Sequence, residues 1–79
     1  MRALPFLLPG TEIGVKDLIK TSRIAKGYTQ HQLADLCGVT RQAVYYWESG
    51  AREPSVAMMF RLAKILDIDL GEIADAYDK

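Results

Sequence analysis

The side chains able to do chemistry in this chain are few, and their spacing excludes most kinds of it. There is one cysteine, Cys37, and one histidine, His31. No disulfide framework can form within the chain, and no four-ligand zinc set is at hand. Asp67, Asp69, Glu72, Asp75 and Asp78 cluster near the C-terminal end, but without the twelve-residue frame and sixth-position glycine of a calcium loop. A solvated acidic face is the simpler account. No nucleophile stands with a base and no phosphate loop occurs, so the expectation is a non-enzyme with no cofactor, no metal and no small-molecule ligand. What remains is charge. Residues 15–52 carry six basic groups (Lys16, Lys20, Arg23, Lys26, Arg41 and Arg52) against Asp17, Asp35 and Glu48, a net of +3, whereas residues 53–79 carry −3. The basic half has the sign to face a polyanion.

The elements that position these groups must fit into 79 residues of zero net charge and 49% apolar composition. That is one small domain, most simply made from short-range helical contacts. Pro5, Pro9 and Gly10 break any helical pattern, so residues 1–12 read as an irregular or extended arm and residues 13–79 as the domain. The apolar run Ala3 to Pro9 is far short of the roughly 20 residues of a membrane span and lacks the features of a secretory signal. With an unpaired cysteine, this points to the cytoplasm.

From Gly14 onward Val15, Leu18, Ile19 and Ser22 recur at helical spacing, and Gly27 ends the first helix. Thr29 and Gln32 form a capping box for a second helix, Gln30–Cys37, with Leu33, Ala34 and Cys37 on one face. After Gly38 and Val39, Thr40 caps a third, Arg41–Ser49, with Val44, Trp47 and Glu48 on one side and Gly50 as its stop. Ser55 caps a fourth, whose apolar stripe reads Val56, Met59, Phe60, Ala63 and Leu66. Asp69 and Glu72 open a fifth, with Ile73, Ala76 and Tyr77 as inward candidates. Nothing alternates with period two. The second and third helices, joined through Gly38-Val39-Thr40, make a helix-turn-helix pattern. Small Ala34 permits close approach, Gly38 permits a left-handed turn, and Val39 and Val44 fill the angle.

These residues carry a resemblance. Arg23 with Gly27-Tyr28-Thr29-Gln30, Gln32-Leu33-Ala34, Gly38-Val39-Thr40-Arg41-Gln42, Trp47-Glu48-Ser49-Gly50, Pro54-Ser55-Val56, Leu62 to Leu66 with Ile68, and Leu70-Gly71-Glu72-Ile73 are similar in order and spacing to the lambda-repressor-like helix-turn-helix family of phage repressors, Cro proteins and xenobiotic-response-element-type regulators. The likeness covers residues 19–74. Three positions depart from the family pattern: Ser22 and Cys37 stand where larger aliphatic residues are usual, and Asp67 where glycine is usual.

The resemblance implies an all-α, five-helix domain that binds double-stranded DNA with its third helix in the major groove. It implies that Thr40, Arg41 and Gln42 reach base edges, that Tyr45 and Tyr46 stand one turn on along the outer side, that Gln30 bridges to a phosphate, and that Arg52 holds the sugar-phosphate chain. It also implies a partly buried ion pair, Arg23 with Glu48. The side-chain chemistry agrees: glutamine pairs with adenine, arginine with guanine, and aromatic rings suit the thymine methyl.

Two functions compete. The first is a transcriptional regulator, a small repressor acting as a homodimer at a pseudo-palindromic operator. Its subunit contact would come from Leu4, Phe6, Leu7 and Leu8 of the arm, with Ile73, Ala76 and Tyr77 as the alternative. The second is a protein-interaction module, antitoxin-like or an adaptor, on the same scaffold. DNA binding requires Arg41, Gln42 and Arg52 on an exposed face without acidic neighbours; an adaptor does not.

Overall fold

The computed structural model describes residues 14–78. They form five helices: α1 (Val15–Lys26), α2 (Gln30–Cys37), α3 (Arg41–Ser49), α4 (Val56–Leu66) and α5 (Leu70–Tyr77). No strand occurs among the described residues, and the expected all-α fold class holds. The arm, residues 1–12, and the subunit contact expected of it lie outside the described residues.

Side-chain oxygens take up backbone N–H groups at four of the helix starts. The Thr29 hydroxyl accepts from Gln32 N at 3.0 Å while the Gln32 carbonyl accepts from Thr29 N at 2.9 Å. The Thr40 hydroxyl accepts from Ala43 N, the Ser55 hydroxyl accepts from Met58 N, and the Glu72 carboxylate accepts from Asp69 N. Each such cap contributes about 1 kcal/mol. Between α2 and α3 the chain reverses at Gly38, whose φ of 72° lies in the left-handed region. There Val39 N donates to Ala34 O and Gly38 N to Asp35 O, which satisfies two carbonyls at the end of α2.

The core is shared among all five helices. Ile19, Leu33, Val44 and Leu62, one from each of α1 to α4, are fully enclosed, and Ile73 and Ala76 join them from α5. Trp47 is buried with them. Ala34 is small enough to let α2 close on α3. Cys37 is buried, and loss of hydration pushes its thiol pKa up, with Arg61 opposing weakly. Ser22 is buried too, and its hydroxyl has no hydrogen-bond partner.

Two readings need correction. The stripe expected on α4 holds at Met59 and Leu66, with Ala63 packed half-buried against the core, but Val56 and Phe60 are exposed and Leu62 is enclosed instead. Apolar residues run almost all round this helix, broken only by Arg61 and Lys64, so its neighbours, not its periodicity, choose the buried arc. On α5, Ile73 and Ala76 are core residues and are not left over for a subunit contact. Tyr77, read as inward, stays 44% exposed.

Candidate nucleic-acid interface

At roughly 100° per residue, Val44, Trp47 and Glu48 turn one side of α3 inward. Tyr45, Ser49, Gln42 and Tyr46 then share the opposite arc, and Arg41, two turns before Glu48, lies at its edge. Thr40, Arg41, Gln42 and Tyr45 are exposed, and Tyr46 is half-buried. The Tyr45 and Tyr46 rings are tilted against each other with centroids 6.1 Å apart. Gln42 makes no side-chain hydrogen bond among the described residues.

Beyond α3, Gly50 has a φ of 85° and turns the chain back across the helix end. A Cβ there would come within 3.1 Å of Lys16 Cδ, so glycine also admits the Lys16 side chain. The turn brings Arg52 beside Tyr46: its guanidinium carbon is 5.2 Å from the ring centroid, and its backbone N–H donates to Tyr46 O at 3.3 Å. A cation over an aromatic face at this range is held by the ring quadrupole. In the sequence Lys16 stands out only as one of the six basic groups of residues 15–52. Nothing in the spacing of α1 ties it to residue 50, and only the packing of α1 against α3 does so.

At the other end of α3, Gln30 stands half-buried at the start of α2. Its side-chain nitrogen donates to Glu48 Oε1 at 3.1 Å, and its carbonyl accepts from Arg41 Nη1 at 3.3 Å. Glu48 is also gripped by Arg23, whose Nε donates to Oε2 at 2.6 Å and whose Nη2 donates to Oε1 at 3.1 Å. The third guanidinium nitrogen, Nη1, donates to Tyr28 O at 2.8 Å. The Glu48 and Arg23 side chains are 4% and 11% exposed.

This arrangement decides the charge of the outer arc. Glu48 is the one acidic residue of α3, and it points inward to Arg23. Arg41 and Arg52 form no ion pair among the described residues. The face therefore offers two guanidinium groups, an amide, hydroxyls and aromatic edges, a set suited to phosphate oxygens and base edges. Among the described residues no group of His, Cys, Asp and Glu is placed to hold a metal ion. No described helix is long and apolar enough to cross a membrane.

Comparison with known proteins gives the geometry its context. A helix-turn-helix family model matches residues 19–73. The SPbeta prophage-derived HTH-type transcriptional regulator YonR of Bacillus subtilis strain 168 is 38% identical over 50 residues, 63% of this chain and 46% of that protein. An HTH-type transcriptional regulator of Methanothermobacter thermautotrophicus is 38% identical over 52 residues, 66% of this chain and 75% of that protein. The HTH-type transcriptional regulator MJ0272 of Methanocaldococcus jannaschii is 32% identical over 59 residues, 75% of this chain and 89% of that protein. The chain spans less than half the length of the Bacillus relatives YonR and YqaE. The matched region runs from α1 into α5 and contains the whole α2–turn–α3 unit. With that match and the five-helix fold, the chain belongs to the lambda-repressor-like helix-turn-helix family.

Proposed function

We propose that the chain is a sequence-specific DNA-binding transcriptional regulator, a small repressor that lays α3 in the major groove and works in the cytoplasm. The observation that carries this reading is the inward turn of Glu48, which leaves Arg41, Gln42 and Arg52 on a face without a carboxylate from α3. The relatives' names as transcriptional regulators support it. On this reading Arg41, Gln42 and Thr40 address base edges, Tyr45 and Tyr46 contact the groove wall, and Gln30 and Arg52 hold the backbone.

A homodimer belongs to the same proposal. A domain of this size covers only about 600–1,000 Å² of DNA. With few basic groups on the α3 face it neutralises few phosphates and releases few counterions, so one copy binds weakly at physiological salt. Two copies about 34 Å apart would read successive major grooves of a pseudo-palindromic operator. Selection of bound sequences from random DNA tests the whole reading. The expected result is a pair of inverted half-sites spaced by about one helical turn. Failure to enrich any sequence, with the protein folded, would overturn it in favour of a protein-interaction module.

A further inference from the structure

Val56 and Phe60 of α4 and Tyr77 of α5 are exposed, and all three line one groove, with Met59 and Ile73 beneath them. The groove measures about 310 Å³ and its walls are almost entirely apolar. A contiguous apolar patch on a small domain marks a place that another segment covers. Burial and the nearby Glu53 carboxylate push the Tyr77 hydroxyl pKa up, so Glu53 stands close to that end of the groove.

The helix ends show where the chain enters this picture. Lys16, in the first turn of α1, packs on Gly50, just ahead of the Ser55 cap of α4. Lys26, in the last turn of α1, bonds to Asp67, which ends α4. Helices α1 and α4 therefore start at one end of the domain and finish at the other. Helix α5 turns back from there, and Tyr77 returns beside Val56. Gly14, where the chain enters α1 in an extended conformation, thus lies at the end of the domain where Val56 and Tyr77 open the groove.

We propose that residues 3–8 of this same chain seat in the groove, with Phe6, Leu7 and Leu8 laid against Val56, Phe60 and Tyr77. The length of chain suffices. Residues 7–13 span up to about 23 Å, and a helix with its side chains is about 10 Å across, so the segment passes round the end of α4. The composition fits as well. Every residue from Ala3 to Pro9 is apolar, and Pro5 and Pro9 have no N–H to leave unpaired against carbon. Arg2 is the one charged residue before Glu12, and its sign is opposite to that of Glu53. A second copy offers the same segment, but a short tether gives the chain's own segment a millimolar effective concentration, so it fills the groove first. Pairing of two copies through α4 and α5 then has to displace it, which links the homodimer proposed above to release of residues 3–8. The inference does not rest on the DNA reading.

The test uses the full chain and nuclear Overhauser spectroscopy, on labelled protein alone and on an equal mixture of isotope-labelled and unlabelled copies. Contacts from Phe6, Leu7 or Leu8 to Val56, Phe60 or Tyr77 are expected within a copy and not between copies. Contacts found only between copies would give the groove to the partner's segment, and a lack of any such contact would leave it to another occupant. Either result would overturn the inference. A second readout needs no assignment. The double variant Phe6→Asp, Leu7→Asp should bind the neutral dye Nile red several-fold more strongly than the wild type, with helical circular dichroism unchanged. These changes make the segment itself less apolar, so the gain can come only from an uncovered groove, and adding Phe60→Asp should abolish it. Dye binding no stronger than that of the wild type would overturn the inference.

Discussion

Lys26 Nζ lies 2.7 Å from Asp67 Oδ2, which ties the last turn of α1 to the residue that ends α4. Asp67 has a φ of 56° and is the one described residue other than glycine in the left-handed region. Aspartate and asparagine tolerate that conformation better than most residues. The chain thus keeps the backbone turn where the family usually has glycine, and adds a cross-link that glycine cannot make.

The pair has a pH signature. The hydrogen bond from Lys26 and its charge hold the Asp67 carboxyl below its ordinary 3.8, and Asp67 raises Lys26 above its ordinary 10.5. The Asp67 contribution is complete above the unfolded value and is lost as pH falls through the depressed folded value. The Lys26 contribution is complete below 10.5 and is lost as pH rises through its raised value. Asp67→Asn keeps the backbone preference and removes the charge. Urea unfolding should give a stability deficit that is constant between about pH 5 and 9, closes at either extreme, and shrinks in 1 M salt. A deficit unchanged in acid would assign the effect to the backbone.

Ser22→Ala should raise stability by about 1 kcal/mol. The Ser22 hydroxyl is buried on α1 with no hydrogen-bond partner, and alanine removes that polar group from a helical position while changing the volume by one atom. A higher melting temperature, with the helical circular dichroism unchanged, is the expected result. A loss of stability would mean that the hydroxyl is satisfied in solution.

Gln42→Ala should weaken specific DNA binding by about 1–3 kcal/mol and relax the preference at one base pair of each half-site. Gln42 is exposed on the outer arc and makes no side-chain hydrogen bond among the described residues, so little stability is at stake. Equal loss on every sequence would reassign it to a phosphate.

If the proposed homodimer forms through the α4–α5 face, Phe60→Asp should dissociate it, read by sedimentation, without loss of helix. Val56, Phe60 and Tyr77 line an apolar groove between α4 and α5, over Met59 and Ile73, and burying such a face against a second copy removes it from water. If Phe60→Asp stays dimeric and deletion of residues 1–9 yields monomers, the arm carries the contact.

What the sequence made legible is what local chemistry controls. The Thr29–Gln32 box, the caps at Thr40 and Ser55 and the reversal at Gly38 each depend on residues within a few positions of one another, and helix limits followed from them. The α4 phase was legible at Met59 and Leu66 but not at Val56, Phe60 and Leu62, because residues apolar on nearly every side leave several arcs able to face inward. The polarity of the Gln30 amide was not legible either. It is set by a carboxylate 18 residues away that arrives only when α2 and α3 cross. Residue types on the outer arc of α3 can be read one at a time, but the hydrogen bonds among Arg41, Gln30 and Glu48 belong to the assembled angle.

The burial of Cys37 makes the chain its own folding gauge. Only the thiolate reacts readily with alkylating reagents, and this one sulfur is both enclosed and held toward its protonated form. Modification must wait for an opening of the domain around α2. Labelling speed, divided by that of the unfolded chain, therefore reports how often the helix-turn-helix comes apart under native conditions. Adding operator DNA should slow the label by the factor with which binding holds the two helices together.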